Sequence, residues 1–405
     1  MESVSVAQAA TQSFFSKIIS GSLLIAGTAI GAGMLGIPLI TAQSGFYPAL
    51  LITGLVWLFM LATGLLMIEA TLWMPTGSNI LTMTGKLLGS KGRYIAGGLF
   101  LFLYYCLMIA YVAGGAPLFS TFIANATGWI LPGASGYVLF SLIFGAIVFR
   151  GVRSMDRVNL ILVMAMAAMY VGIVSFGSQA INLSRFAFFN VSAAFAAAPV
   201  LFSAFGYHNM IPSLCTYLQR DRRALRLSVV CGTTLALIIY SIWQWLVIGS
   251  VPLEAIAIAK AAGQPASAVL EGIINNPWLG RCAAGFAFFA LVTSFLGVAL
   301  SMTDFMADGL RKITTTRIVP TLLTFIPPLG MAILDPTLFD KALGVAGGFG
   351  EAFLNGLLPV LLVWVGRYEL QLEHQAMLRG GKPMLLILGA GSIAVFLLEV
   401  VALLF

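Results

Sequence analysis

The sequence predicts an all-α integral membrane fold of about eleven transmembrane helices. Three observations predict it. Of the 405 residues, 60% are hydrophobic and only 9% are charged, whereas soluble domains average roughly 25% charged residues. The apolar residues form repeated runs long enough to cross the ~30 Å hydrocarbon core of a bilayer. Two of these runs, five runs apart, contain similar helix-breaking residues.

The apolar runs are named segments 1 to 11 in chain order. Their predicted bounds are 18–40, 46–74, 94–124, 136–149, 158–176, 193–218, 227–250, 282–305, 318–334, 342–365 and 383–405. Segment 1 is longer than the apolar core of a signal peptide, so it is expected to remain as a helix. Segments 4 and 9 are short and segment 9 contains Pro327 and Pro328, which leaves the total open by one. One transmembrane domain, 1–405, is predicted, with repeat one at about 18–176, repeat two at about 193–365 and the extra helix at about 383–405.

The basic residues predict the orientation. With the N-terminus in the cytoplasm, 17 of the 21 Lys and Arg residues fall on the cytoplasmic side and 4 on the other, as the positive-inside rule requires. The net charge of +7 lies in short clusters between apolar runs rather than in a basic groove, so no nucleic-acid partner is expected. The segments contain no nucleophile–base pair and no metal-ligand cluster. Neither enzymatic activity nor a cofactor is therefore expected, and a channel is disfavoured because no charged ring or repeated pore segment occurs.

Helix-breaking residues interrupt segments 1 and 6. Segment 1 has glycines at 27, 31 and 33 around Thr28 and then Pro38, and segment 6 has the run Ser203–Asn209 and then Pro212. One interpretation is close helix packing through small residues. The other is a pair of unwound sites in oppositely directed helices, which is typical of inverted-repeat secondary transporters with a substrate at mid-membrane. Unwound backbone dipoles suit a zwitterion, because half-helix N-termini attract a carboxylate and free carbonyls attract a cation.

Three stretches carry a resemblance to a known family: 26–38, 202–213, and 293–300 with Asp304 and Asp308. They resemble the bacterial aromatic amino acid permeases of the hydroxy/aromatic amino acid permease family, and in particular the tyrosine-specific branch. The resemblance implies a leucine-transporter-like fold of five plus five helices plus one, in a bacterial inner membrane. It also implies proton-coupled import of an aromatic amino acid. A sodium-coupled symporter or an exchanger for tryptophan or another neutral amino acid is the alternative.

The resemblance also implies a substrate site at the two breaks. In segment 1, the α-carboxylate is expected at Thr28, Ala29, Gly31, Ala32 and Gly33. In segment 6, the α-amino group and the ring are expected at Phe202, Ser203, Phe205, Gly206, Tyr207 and His208, with Tyr104 from segment 3.

Four ionisable residues are candidates for coupling, because charges inside a membrane are costly and usually functional. They are Glu69, His208, Asp304 and Glu351. Glu69 is either a buried proton acceptor or a residue that reaches the cytoplasmic edge, and Asp304 is expected to pair with a loop arginine such as Arg311. Glu399 is expected to reach the membrane interface.

The coupling ion is expected to be a proton, with sodium as the alternative. In the implied fold, Thr293 and Ser294 stand where a sodium ion is bound between segments 1 and 8. Segment 5 contains no lysine, so the proton-coupled version in which a lysine replaces that ion is in doubt.

Overall fold

A computed structural model describes residues 14–150, 152–262, 264, 266–273, 277–310, 316–372 and 376–404 of the chain. Within these residues every regular element is a helix and no strand occurs. The predicted all-α membrane class is therefore confirmed. Eight helical stretches in the described residues are long and apolar enough to cross a membrane, and a bent pair of helices makes a ninth. Segments 4 and 9 are shorter apolar helices, so the number of spans remains a prediction.

Most segments are continuous helices. They are Phe46–Leu72 for segment 2, Gly89–Thr127 for segment 3, Ser135–Phe149 for segment 4, Val152–Gly177 for segment 5, Arg222–Ser250 for segment 7, Pro277–Leu310 for segment 8, Ile318–Leu334 for segment 9 and Gly381–Leu404 for segment 11. Many extend a turn beyond the predicted bounds, because a helix continues into the polar headgroup region where its flanking residues are solvated.

Segments 1, 6 and 10 are irregular. Segment 1 consists of Phe14–Ala29 and Gly33–Thr41, and segment 6 of Ala198–Ala204, the 3₁₀ turn His208–Met210 and Ile211–Tyr217. Segment 10 begins as the α-helix Leu338–Val345, becomes a π-helix over Ala346–Leu357, returns to α over Leu358–Trp364 and ends as a π-helix over Val365–Glu369. The sequence did not predict the π-helical stretches.

Short helices lie in several connections, among them the 3₁₀ helices Ser178–Ala180 and Leu183–Ala187 between segments 5 and 6. Ile80–Leu87 follows segment 2 and packs against segment 3. The long connection between segments 7 and 8 contains Leu253–Ala261 and Ala266–Ile273, and both pack against the second half of segment 1. One short helix was expected in that connection, and the structure has two.

The segments pack as a central group with a peripheral ring. Segment 7 packs against segment 2 and the first half of segment 1, and segment 8 packs along segments 5 and 3. Segment 11 packs against the π-helical part of segment 10. Large apolar side chains of the peripheral segments, such as Leu142, Ile161, Ile326 and Leu403, point outward and are more than half exposed. An outward apolar surface of this kind is suited to lipid.

Basic residues join several connections on one side of the bundle, called the basic side. The Arg220 guanidinium, after segment 6, donates hydrogen bonds to the carbonyl oxygens of Leu72 and Met74 at the end of segment 2. Arg226 donates to the Met377 carbonyl oxygen between segments 10 and 11. On the opposite side, the Asn190 amide donates to the Ser44 carbonyl oxygen over 2.8 Å. These contacts agree with alternating segment direction, while the cytoplasmic assignment of the basic side remains a prediction.

Candidate functional site

Segment 1 is broken at the predicted residues. The first helix ends at Ala29, the second begins at Gly33, and their axes are bent by 60°. Inside the break, the Ala32 amide donates a hydrogen bond to Ser294 Oγ of segment 8 over 3.0 Å. A backbone amide freed from a helix in a membrane must find another partner, and Ser294 supplies it.

Segment 6 is broken as well. Its first helix ends at Ala204, and helical structure resumes with the 3₁₀ turn that begins at His208. The Gly206 amide donates to the Ser203 carbonyl oxygen over 3.3 Å, which is a tighter turn than the α-helix. Both interruptions that the sequence predicted are therefore present.

The two breaks touch each other through glycine. A methyl group added to Gly33 would lie 2.8 Å from the Cα atom of Ala204, and one added to Gly31 would lie 2.0 Å from Ser294 Oγ. Cβ atoms do not approach other heavy atoms so closely. Glycine is needed at position 33 because the backbone of segment 6 lies directly against it, whereas at position 31 the close atom belongs to the Ser294 side chain.

Tyr240 of segment 7 connects the two breaks. Its hydroxyl lies 2.6 Å from the carbonyl oxygen of Ala29 and 2.7 Å from that of Ala204, the last residues of the two broken half-helices. Helix C-termini carry partial negative charge and favour a cation or a donor. A buried phenol proton shared between the two carbonyls supplies that donor here. Sequence reasoning missed Tyr240, and a lone tyrosine in an apolar helix gives no signal of its own.

The aromatic side chains of segment 6 pack into the protein. Phe202 lies against Phe59 with ring centroids 5.0 Å apart, and Phe205 lies against Tyr240 at 4.9 Å. The Tyr207 hydroxyl donates to the Met60 carbonyl oxygen over 3.0 Å. These rings fix segment 6 against segments 2 and 7.

His208 faces segment 2. Its Nε2 atom lies 2.9 Å from Thr63 Oγ1, and its buried Nδ1 atom has no hydrogen-bond partner in the described part of the chain. Thr28, in segment 1, bonds its own helix through the Leu24 carbonyl oxygen.

A cavity of about 310 Å³ lies on the basic side of the breaks, between segments 3, 6 and 8 and the connection 77–81 that follows segment 2. Polar groups from each of these segments line it, namely Tyr104, Asn209, Ser213 and Ser301. The Asn209 Nδ2 group donates to the Tyr104 hydroxyl over 3.3 Å. The size is at the lower end of the roughly 300–1,000 Å³ of small-molecule sites.

Three aromatic rings also line the cavity. Phe100 contacts Tyr104 with centroids 4.2 Å apart and Phe305 at 5.4 Å. Of the predicted substrate contacts, Tyr104 lies in the wall of this cavity. The sequence did not predict four other residues of the cavity wall as substrate contacts: Phe100, Asn209, Ser301 and Phe305. Ser301 and Phe305 are four residues apart and so lie on one face of segment 8.

Glu69 forms a buried ion pair that the sequence did not predict. Its carboxylate accepts hydrogen bonds from Arg367 Nε and Nη2, each over 2.7 Å, and from the Met377 amide over 2.8 Å. Both charged side chains are buried. Its partners come from the end of segment 10, 298 residues away in sequence, and from the connection on the basic side. The carboxylate is therefore paired rather than free, and its role in coupling remains a prediction.

Asp304 pairs with an arginine, as predicted in kind. Its partner is Arg317 over 2.6 Å, and both side chains are partly exposed; Arg311 lies outside the described residues.

Glu399 was expected at the membrane interface, and that prediction is wrong. Its side chain is buried at 5% exposure against Gly344 and Gly348 of segment 10, because the glycines leave room for a carboxylate between the two helices. Of the two hydroxyls proposed for sodium, Thr293 bonds the Ala290 carbonyl oxygen and Ser294 contacts the segment 1 break.

Glu351 lies in the π-helical part of segment 10, opposite the segment 6 break. A methyl group on Gly206 would lie 2.7 Å from its Oε1 atom. The Asn355 side-chain amide donates a hydrogen bond to Oε2. Three glycines that precede Glu351 pack closely against neighbouring segments. Gly347 contacts segment 6, Gly348 contacts segment 11 and Gly350 contacts segment 3. This close packing brings a carboxylate to the second break.

Paired helix breaks beside a polar cavity, within a bundle of apolar helices, define a multi-pass membrane permease rather than an enzyme. A family profile described as the tryptophan/tyrosine permease family matches residues 15–399. The chain belongs to this family, as its resemblance implied.

Curated relatives match most of the chain. A tyrosine-specific transport system 1 of Haemophilus influenzae is 34% identical over 87% of this chain and 88% of the relative. A tryptophan-specific transport protein of the same organism is 33% identical over 87% and 88%, respectively. A tryptophan-specific transport protein of Pseudomonas aeruginosa is 31% identical over 90% of each chain.

Proposed function

We propose that this protein imports an aromatic amino acid, with tyrosine favoured, across a bacterial inner membrane by proton symport with alternating access. The observation that carries the proposal is the contact between two broken, oppositely directed helices beside a cavity lined by aromatic rings. Relatives named for tyrosine and for tryptophan transport support the aromatic substrate class.

The cavity supports an aromatic substrate chemically. Phe100, Tyr104 and Phe305 present ring faces and edges that suit another ring, and each aromatic pair contributes about 0.5–1.5 kcal/mol beyond burial. Asn209 and Ser301 supply amide and hydroxyl groups for a zwitterion. We infer that the substrate moves between the breaks and this cavity, which serves as its path on the basic side.

The helix pairing supports an inverted repeat of five plus five segments. Segment 5 packs along segment 8 as segment 10 packs along segment 3, and segment 3 contacts segment 4 as segment 8 contacts segment 9. These pairs exchange when each segment in repeat one is replaced by the segment five later. Rocking of one repeat against the other around a fixed site is the alternating-access motion such folds use.

Sodium coupling is the second candidate. Ser294, a predicted sodium ligand, does contact the segment 1 break. Against it, the carbonyl oxygens of Ala29 and Ala204 that would attract a cation already accept the Tyr240 proton. We therefore favour the proton.

Uptake into proteoliposomes tests the function. Labelled tyrosine should accumulate when the outside is acidic, and unlabelled tryptophan and phenylalanine measure selectivity by competition. A one-unit pH gradient is expected to support about tenfold accumulation of a net-neutral substrate with one proton. Equal uptake with no gradient would refute symport, and accumulation driven only by sodium would select the alternative.

Tyr240→Phe should weaken the connection between the breaks. Removing the hydroxyl leaves two buried carbonyl oxygens without their donor, at a cost of about 1–3 kcal/mol. We expect a lower melting temperature in detergent and slower tyrosine counterflow. Tyr170→Phe is the matched control, because that hydroxyl donates to the single carbonyl oxygen of Ile239, which belongs to a continuous helix rather than to a break. Equal effects of both variants would contradict a special role for Tyr240.

A further inference from the structure

Glu351 is a buried carboxylate without a cationic partner. Its side chain is 5% exposed, and among the described residues its hydrogen-bond partner is the neutral amide of Asn355. A charge removed from water without an ion pair is costly, and such a group adopts its neutral form when water is excluded. Whether Glu351 is charged therefore depends on whether water reaches it.

The other ionisable candidates are occupied or face elsewhere. Glu69 is bonded to Arg367 and to the Met377 amide. Asp304 is exposed and paired with Arg317 on the basic side. His208 bonds Thr63 of segment 2. Of the three carboxylates among the four predicted coupling residues, Glu351 is the one that contacts a helix break and lacks a charged partner in the described part of the chain.

The groups facing Glu351 can be named for each packed element. Segment 3 places the hydroxyls of Tyr104 and Tyr111 within electrostatic range of it. From segment 6 it meets Gly206, while His208 on that segment is turned toward segment 2. Segment 11 contributes Glu399, which packs against Gly344 and Gly348 rather than against Glu351. On segment 2, the Glu69 carboxylate is bonded to Arg367, which lies at the end of segment 10.

Tyr104 links Glu351 to the substrate path. It lines the cavity, bonds Asn209 next to the segment 6 break and is within electrostatic range of Glu351. A substrate ring that fills this region displaces water, and displaced water can no longer solvate a carboxylate. Substrate and proton would then bind with positive linkage, and linkage is reciprocal.

We propose that Glu351 is the proton-binding site of the transport cycle, and that it takes up one proton when the substrate excludes water from the segment 6 break. The inference rests on the proposed function, because it names the group that couples proton and substrate. The proton adds to one carboxylate oxygen and leaves it on the basic side when the substrate departs. In the carrier loaded with substrate and proton, Glu351 is therefore neutral. The state with substrate but without the proton is disfavoured, because it would bury the charged carboxylate.

Glu351→Gln tests the proposal, because glutamine resembles the protonated carboxyl in shape and charge. In proteoliposomes we expect tyrosine counterflow at equal pH within about twofold of wild type. Accumulation driven by a one-unit pH gradient should fall from about tenfold to about onefold. Glu399→Gln is the matched control, since it neutralises a buried carboxylate of segment 11 that packs against Gly344 and Gly348 of segment 10, and it should keep the accumulation.

Two results would overturn the assignment: wild-type accumulation in Glu351→Gln, or loss of counterflow in a variant that still melts and elutes as a folded protein. If Glu351→Gln does not fold, proton uptake by the wild type on tyrosine binding decides, measured by calorimetry in two buffers of different ionisation enthalpy. About one proton per tyrosine supports the site, and none refutes it. A wild-type protein without proton-driven accumulation would refute the proposed function itself, whereas coupling that survives in Glu351→Gln refutes only the role of Glu351.

Discussion

Gly33→Leu is expected to reduce tyrosine transport by more than about tenfold while leaving membrane insertion intact. A first side-chain carbon at this position would lie 2.8 Å from Ala204 Cα, so two backbones must move apart. Overpacking of this kind costs about 1–3 kcal/mol, and 1.4 kcal/mol corresponds to tenfold in an equilibrium. The measurement is counterflow in proteoliposomes, together with quantification of protein in the membrane fraction.

Gly27→Leu is the control for that substitution. Gly27 lies in the other half-helix of the same segment, and an added methyl group there meets no atom within 4 Å in the described structure. It should insert and transport nearly as well as wild type. Near-normal counterflow in Gly33→Leu would show that contact between the breaks is not needed for transport.

Arg367→Met is expected to destabilise the protein by about 3–5 kcal/mol, because it leaves the buried Glu69 carboxylate without its counter-ion. The large effect follows from the burial of both side chains, 4% and 1% exposed. Glu69 also holds the Met377 amide, so the connection after segment 10 should loosen. Thermal unfolding in detergent measures the stability.

Arg317→Gln serves as the comparison, since the Arg317–Asp304 pair is partly exposed and such pairs contribute at most about 1 kcal/mol. A Glu69→Met/Arg367→Met double variant should recover part of the loss, because replacing both charges removes the unpaired one. If Arg367→Met and Arg317→Gln melted alike, the Glu69 pair would not be a structural element of the protein.

The helices and their breaks could be predicted from the sequence because each has a local cause. A run of about twenty apolar residues crosses a bilayer as a helix, since a helix satisfies the backbone hydrogen bonds within the run itself. Glycines around Thr28 and the run at Ser203–Asn209 interrupt that pattern at matched positions, and the structure breaks there. Segment 9 has its predicted bounds despite Pro327 and Pro328.

The contacts between distant residues could not be predicted in the same way. Glu69 and Arg367 are each isolated in the sequence, and only packing of segment 2 against segment 10 brings them together. Glu399 near the end of segment 11 has the sequence context of an interfacial residue, yet glycines of segment 10 create its buried space. Tyr240 has no local signal, because its role depends on two carbonyl groups from other segments.

The π-helix over Ala346–Leu357 has a geometric consequence for the membrane bundle. A π turn closes its hydrogen bond over one more residue than an α turn does, so the stretch holds more residues in the same axial length of the span. Returning one such turn to α geometry shifts the facing of every later residue by one position, about 100° around the axis. The π-helical geometry therefore decides which side chains of the later part of segment 10 face segments 2 and 11.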